Sequence, residues 1–205
     1  MHSRHSQRFK RGGMMTKLKN FRLAWAEQAP APGTFRSIAK YGDPNQFKHP
    51  SDAWVRMMKE DFHMRDDEFS RKQNEGDAPV VLKRPPAIPS SKIEALAAIV
   101  GRENVALDDY ARVKYSSAKT SEEILELRRG VIREVADVVV YPRNKQDVQS
   151  IVQYCDGERI PITVFSGGSS CNFGCRPFLG GVSLVMSTHM NKLVEINELN
   201  QTARV

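Results

Sequence analysis

The chain is poor in the features that settle a protein's class at once. Its 205 residues hold three cysteines, and Cys155, Cys171 and Cys175 form no C-x-x-C pair. A disulfide scaffold is therefore excluded, and thiols this few without secretory features fit a reducing, cytoplasmic setting. A metal site from Cys171, Cys175 and His189 has no apparent fourth ligand, so no metal is expected. No apolar run approaches the roughly 20 residues that cross a bilayer, so no integral membrane segment is expected. No Ser-His-Asp arrangement follows from spacing, and His49 and His63 read as surface or satisfied histidines rather than bases.

One stretch lacks acidic residues altogether. Residues 1–26 carry Arg4, Arg8, Lys10, Arg11, Lys17, Lys19 and Arg22 with no Asp or Glu. These seven account for the whole net charge of +7, which is the excess of 31 Lys and Arg over 24 Asp and Glu. The rest of the chain is balanced, so the basic excess marks a solvated, disordered tail rather than a nucleic-acid surface. Residues 27–87 read as a helical preface and linker. Ser51 or Asp52 starts a helix whose Trp54, Met57, Met58 and Phe62 make an apolar packing stripe. Arg71 to Pro79 is polar linker, and Pro85, Pro86 and Pro89 fix an extended segment. Residues 88–133 form a helical segment: Ser90 or Ser91 caps a helix with Ile93, Leu96, Ala97 and Val100 on its face, ended by Gly101.

From residue 134 the pattern changes. Val138 to Tyr141 is a compact strand stopped by Pro142. Asn144 then caps a helix with Asp147 in its first turn, and Val148, Ile151, Val152 and Cys155 lie on one stripe. Gly157 and Pro161 close it, and Ile162 to Phe165 is a second strand. This strand empties into Ser166, Gly167, Gly168, Ser169, Ser170, Cys171, Asn172, Phe173 and Gly174. Adjacent glycines can take positive φ and turn successive amides toward one anion, and the serine hydroxyls add donors. The loop follows the carboxyl end of a strand, where open α/β sheets place ligands. Val182 to Met186 reads as another strand, and Leu193 to Ile196 and Thr202 to Val205 as two more joined at Glu198, Leu199 and Asn200.

The run from Glu123 through Arg128, Arg129 and Gly130 to Tyr141 and Pro142, with the capped helix and the Gly-Gly-Ser-Ser loop, resembles the FAD-linked oxidases. This is the vanillyl-alcohol-oxidase type, and the likeness is to its alkyldihydroxyacetonephosphate synthase and D-2-hydroxyacid dehydrogenase branch. It covers about residues 88 to 205. The resemblance implies an α+β fold: the first α/β lobe of a PCMH-type FAD-binding domain, residues 134–205, after a mostly helical N-terminal region. It implies that Val164, Phe165, Ser166, Gly167, Gly168, Ser169, Ser170 and Gly174 wrap the FAD pyrophosphate. Ser166 replaces the family's first loop glycine, which requires negative φ there. Ser169 stands where covalently flavinylated relatives carry His, so the expected FAD is non-covalent. Val185 and Met186 stand where many relatives have an Asp, and Tyr115, Ser116, Ser117, Ala118 and Lys119 replace a His-Ser-x-Gly-Lys pattern.

The chain stops at Val205 inside a strand, and is expected to be the N-terminal fragment of a longer enzyme, inactive and weak in flavin retention alone. By resemblance, the catalytic residues lie beyond Val205. The parent is expected to oxidise a small-molecule 2-hydroxy acid, or to use FAD as an alkylglycerone-phosphate-synthase-like transferase, and to act as a homo-oligomer. Another class of function is a catalytically inactive binding segment that uses the basic tail. A cell-wall precursor reductase of the same superfamily fits the long preface less well.

Overall fold

The computed structural model describes residues 27–39, 43, 45–46, 49–71, 76–170 and 172–205. The basic tail and Cys171 lie outside these residues. The chain divides into two compact units: residues 1–28 with 45–72, and residues 29–44 with 73–205.

The first unit contains α2 (Asp52–Phe62) and α3 (Asp66–Ser70). Ser51 is the N-cap of α2, its hydroxyl accepting the Trp54 amide at 3.3 Å. His63 ends the helix in the left-handed region, its amide donating to the Met58 carbonyl. Val55 is buried, while Trp54, Met57 and Phe62 on the expected stripe are exposed. Trp54 meets Phe69 edge-on at 6.5 Å.

The second unit is built on a four-stranded sheet. Its strands are β1 (Val105–Ala106), β2 (Val138–Val140), β3 (Ile162–Phe165) and β4 (Val182–Val185), in the order β1-β2-β4-β3. β2 and β3 both run parallel to β4, and β1 is antiparallel to β2. The strand–helix–strand unit read from the sequence is therefore split: β4 lies between β2 and β3. The register sets Val138 and Ile162 on either side of Val182.

A parallel sheet needs cover on both faces, and continuous apolar strands provide for it. Val138, Val140, Val182 and Leu184 face α4 (Ser90–Val100) and α7 (Lys145–Gly157), meeting Ile93, Leu96, Val100, Ile151 and Cys155. Val139 and Val185 face the other way, against Ala111 of α5 (Asp109–Lys114), Ala118, Phe165 and Cys175. A third cluster joins α1 (Phe35–Ala39) to α6 (Ser121–Arg128) through Phe35, Ile38, Val113 and Leu127. The segment carrying α1 thus folds with the sheet, although residues 27–87 read from sequence as one preface.

The caps are mostly as the sequence implies. Asn144 Oδ1 accepts the Asp147 amide at 2.9 Å at the start of α7. Thr120 and Glu123 form a reciprocal capping box on α6 that the sequence reading passed over. At α4 the expectation fails: neither Ser90 nor Ser91 is the cap. Pro89 holds that place, and its carbonyl accepts the amides of Lys92 and Ile93, so the serines fall inside the first turn. The last two strands are β5 (Glu195–Asn197) and β6 (Thr202–Arg204), an antiparallel pair. β5 begins two residues later than expected, although the Val194 amide still donates to the Arg204 carbonyl. β4 and β6 each end one residue early, at Val185 and Arg204.

Candidate functional site: the loop after β3

The loop from Ser166 to Gly174 leaves the carboxyl end of β3 and begins the crossover that returns the chain to the amino end of β4. Phe165, the last residue of β3, is buried, and its ring stands edge-on to Tyr115 at 5.1 Å. Tyr115 in turn meets Tyr141 at 5.7 Å. These three rings, with Cys175, form an apolar floor under the loop. Burial first, and then the neighbouring Tyr115, push the Tyr141 phenol upward, so it stays protonated at neutral pH.

The two glycines behave differently. Gly168 has φ +64° and is buried, whereas Gly167 is exposed and is not among the positive-φ residues. Ser166 also stays out of the positive-φ region, as its Cβ requires. Among the described residues, no acceptor takes the amide of Gly167 or of Gly168. A backbone donor left this way needs water or a ligand.

The far half of the loop closes on itself. The Ser170 hydroxyl accepts the Gly174 amide at 2.9 Å and donates to Asn172 Oδ1 at 2.6 Å. Phe173 takes φ +60°. Beyond the loop, Arg176 places its guanidinium between the Phe173 and Phe178 rings, 5.4 and 5.6 Å from their centroids. Its Nε donates to Glu134 at 2.5 Å. Arg176 therefore ties the end of the loop to the segment before β2, a role sequence reading missed because Glu134 lies 42 residues away.

Of the sequence-expected residues, Val164 is half-exposed on β3 and Phe165 is part of the floor. Ser166, Gly167 and Ser169 are exposed, and Gly168 is buried beneath them. Cys175 is buried as a filler; burial, and then Glu123, push its thiol upward, away from reactivity. The Tyr115–Lys119 segment lies beside this floor. Ser116 donates to the Arg112 carbonyl at 2.6 Å and accepts the Ala136 amide at 2.9 Å. Lys119 has φ +62°, and burial, then Lys114, push its ammonium downward. Lys114 Nζ lies 5.0 Å from the Tyr115 ring centroid. No group of three or more His, Cys, Asp or Glu side chains that could hold a metal occurs among the described residues. No helix among them is long and apolar enough to cross a membrane.

Residues 136–205 match the family described as FAD binding domain. Over 126 residues the chain is 26% identical to alkyldihydroxyacetonephosphate synthase of Trypanosoma brucei brucei, covering 60% of this chain and 21% of that protein. It is 31% identical over 112 residues to glycolate oxidase subunit GlcD of Bacillus subtilis (strain 168), covering 55% of this chain and 22% of that protein. D-lactate dehydrogenase [cytochrome], mitochondrial, of Kluyveromyces lactis is 34% identical over 64 residues, 30% of this chain and 11% of that one. The chain thus spans about a fifth of the length of the first two relatives. In structure it is similar to alkyldihydroxyacetonephosphate synthase, with a TM-score of 0.55 at 23% identity over 64% of this chain and 24% of that one. That likeness shows the fold alone, an α+β arrangement with a mixed sheet.

Proposed function

We propose that the loop from Ser166 to Gly174, within the residues 136–205 that match the FAD binding domain family, holds the FAD pyrophosphate without a covalent bond. The observation that carries this is the pair of adjacent amides, Gly167 and Gly168, which find no acceptor among the described residues at the carboxyl end of a parallel strand. Two such donors, with Ser166 beside them, suit a diphosphate. Ser170 and Gly174 serve by closing the loop, because the Gly174 amide is already given to Ser170 Oγ. Val164 and Phe165 set the loop's height above the sheet. Ser169, which cannot form the histidyl bond to a flavin, supports dissociable cofactor.

FAD, when bound, supplies the two-electron redox chemistry. The residues here bind and orient its diphosphate. We assign the whole protein to oxidation of a small 2-hydroxy acid, because glycolate oxidase and D-lactate dehydrogenase are both among the relatives. The similarity to alkyldihydroxyacetonephosphate synthase in sequence supports a second reading, a flavin-dependent transferase.

The test is titration of FAD into the 15N-labelled chain. Saturable movement of the Gly167 and Gly168 amide signals is expected, with flavin released into the supernatant on acid precipitation. Unmoved glycine signals at millimolar FAD would overturn the loop assignment. Flavin that stays with the precipitate would overturn non-covalent binding.

A further inference from the structure

The opposite end of the sheet carries a second opening. At the amino ends of β2 and β4, a cleft of about 200 Å³ lies between Arg84–Ala87, Arg133–Asp137 and the Pro177–Gly180 turn. Its floor is Arg112, 2% exposed on α5. Arg112 Nε donates to the Ala136 carbonyl at 2.9 Å and Nη1 to the Arg84 carbonyl at 3.2 Å. Among the described residues, Nη2 has no acceptor and no carboxylate forms an ion pair with the guanidinium. The guanidinium thus gives its hydrogen bonds to neutral carbonyls and keeps one donor group open to an acceptor in the cleft.

Asp137 and Asp109 act on this charge through space, but neither accepts a hydrogen bond from it. Both Asp137 oxygens are taken by backbone, Oδ1 by the Ala87 amide at 2.7 Å and Oδ2 by the Gly181 amide at 2.8 Å. Glu134 is paired with Arg176, and Arg133 with Glu126. Arg84, exposed at the rim, donates Nη2 to the Arg133 carbonyl at 2.8 Å and has no acidic partner among the described residues. Two arginines therefore face one carboxylate that backbone amides already occupy. Beside them stand Phe178 and Leu179, exposed apolar side chains on the turn.

We propose that this cleft binds a small oxyanion, a carboxylate or phosphate monoester on a short apolar stem, received by Arg112 Nη2 and Arg84. Guanidinium groups present planar donors that match either oxyanion. Phe178 and Leu179 would cover the stem. The site is separate from the flavin loop, which leaves the other end of β3, and it does not depend on that loop's assignment.

The 15N-labelled chain can be titrated with inorganic phosphate and, separately, with butyrate, against chloride at equal ionic strength. Expected is saturable movement of the Gly180 and Gly181 amides and of Arg112 Nε–H with at least one of the two probes, and none with chloride. Arg84→Ala, at an exposed position, should weaken binding about tenfold, a loss of roughly 1.4 kcal/mol, in a chain whose other signals are unmoved. Arg112→Lys should abolish it; if that variant fails to fold, Arg84→Ala decides. Shifts that do not saturate, that chloride reproduces, or that survive Arg84→Ala unchanged would overturn the site. Because FAD is read at Gly167 and Gly168, loss of one site is distinguishable from loss of the other.

Discussion

The ring of Phe165 fills the space that a side chain at position 168 would need. A Cβ built on Gly168 falls 2.4 Å from Phe165 Cζ, and the residue sits at φ +64°. Floor and loop are thus locked together by the absence of one carbon.

Gly168→Val should therefore cost about 2–4 kcal/mol, since a β-branched residue meets both the left-handed backbone and the ring. Gly167→Ala is the control: its Cβ would meet only Ser169 Oγ, at 3.8 Å. That variant should keep its unfolding free energy within about 1 kcal/mol of the parent. Urea unfolding of the two variants checks the contrast. Equal midpoints would mean that the loop repacks freely over Phe165.

Asn144→Ala removes the side-chain acceptor of the Asp147 amide at the start of α7, and should cost about 1 kcal/mol. Asp147 adds a pH dependence. Hydrogen bonding from Arg143 first, against some burial, holds its carboxyl below the usual carboxylate range. A depressed folded value means that stability is fully present above the unfolded value near pH 4 and is lost as pH falls through the lower folded value. Arg143 is 46% exposed, so solvent screens the pair and its contribution is small. Asp147→Asn should flatten the acid limb of the stability curve; an unchanged limb would show that the pair contributes nothing.

Residues 138 to 168 show how much of this was legible. The cap at Asn144, the stripe through Ile151 and Cys155, and the glycine-serine loop after β3 are local signals, set by residues three or four apart. The insertion of β4 between β2 and β3 is not, because 16 residues of irregular crossover carry no periodicity to announce the pairing. The Pro89 cap was missed because a serine at a helix start is the commoner acceptor, whereas here the proline carbonyl takes both amides. Arg112 was invisible for another reason. It lies in a six-residue helix beside Arg84 and Asp137, which are distant in sequence.

Cys155 offers a test of the sheet's helical cover. Burial between α7 and the sheet pushes its thiol up to about 11. At pH 8 it should resist iodoacetamide in the folded chain and react only on unfolding. The sign of the linkage is opposite to that of Asp147: the unfolded thiol ionises first, so stability should fall as pH rises from about 9 toward 11. Cys155→Ala should remove that alkaline loss. Rapid labelling of Cys155 at pH 8 under native conditions would show that α7 opens readily from the sheet.

The last prediction concerns Asp137, which fastens the amino ends of two strands. Its oxygens accept the amides of Ala87 and Gly181, and its own amide donates to the Gly181 carbonyl at 2.8 Å. Gly181 also packs tightly against Pro161, since a Cβ there would lie 2.1 Å from the Pro161 carbonyl oxygen. Asp137→Asn keeps the size but leaves one acceptor where two amides need one each, and sets an NH₂ group against the other amide. The unsatisfied buried donor should cost about 1–3 kcal/mol. Hydrogen exchange resolves the effect by residue: the Ala87 or Gly181 amide should exchange faster than in the parent, while core amides of β2 follow only the global loss. If both amides kept their protection, the carboxylate would not be what holds them. The entry of the chain into β4 would then rest on the glycine backbone alone.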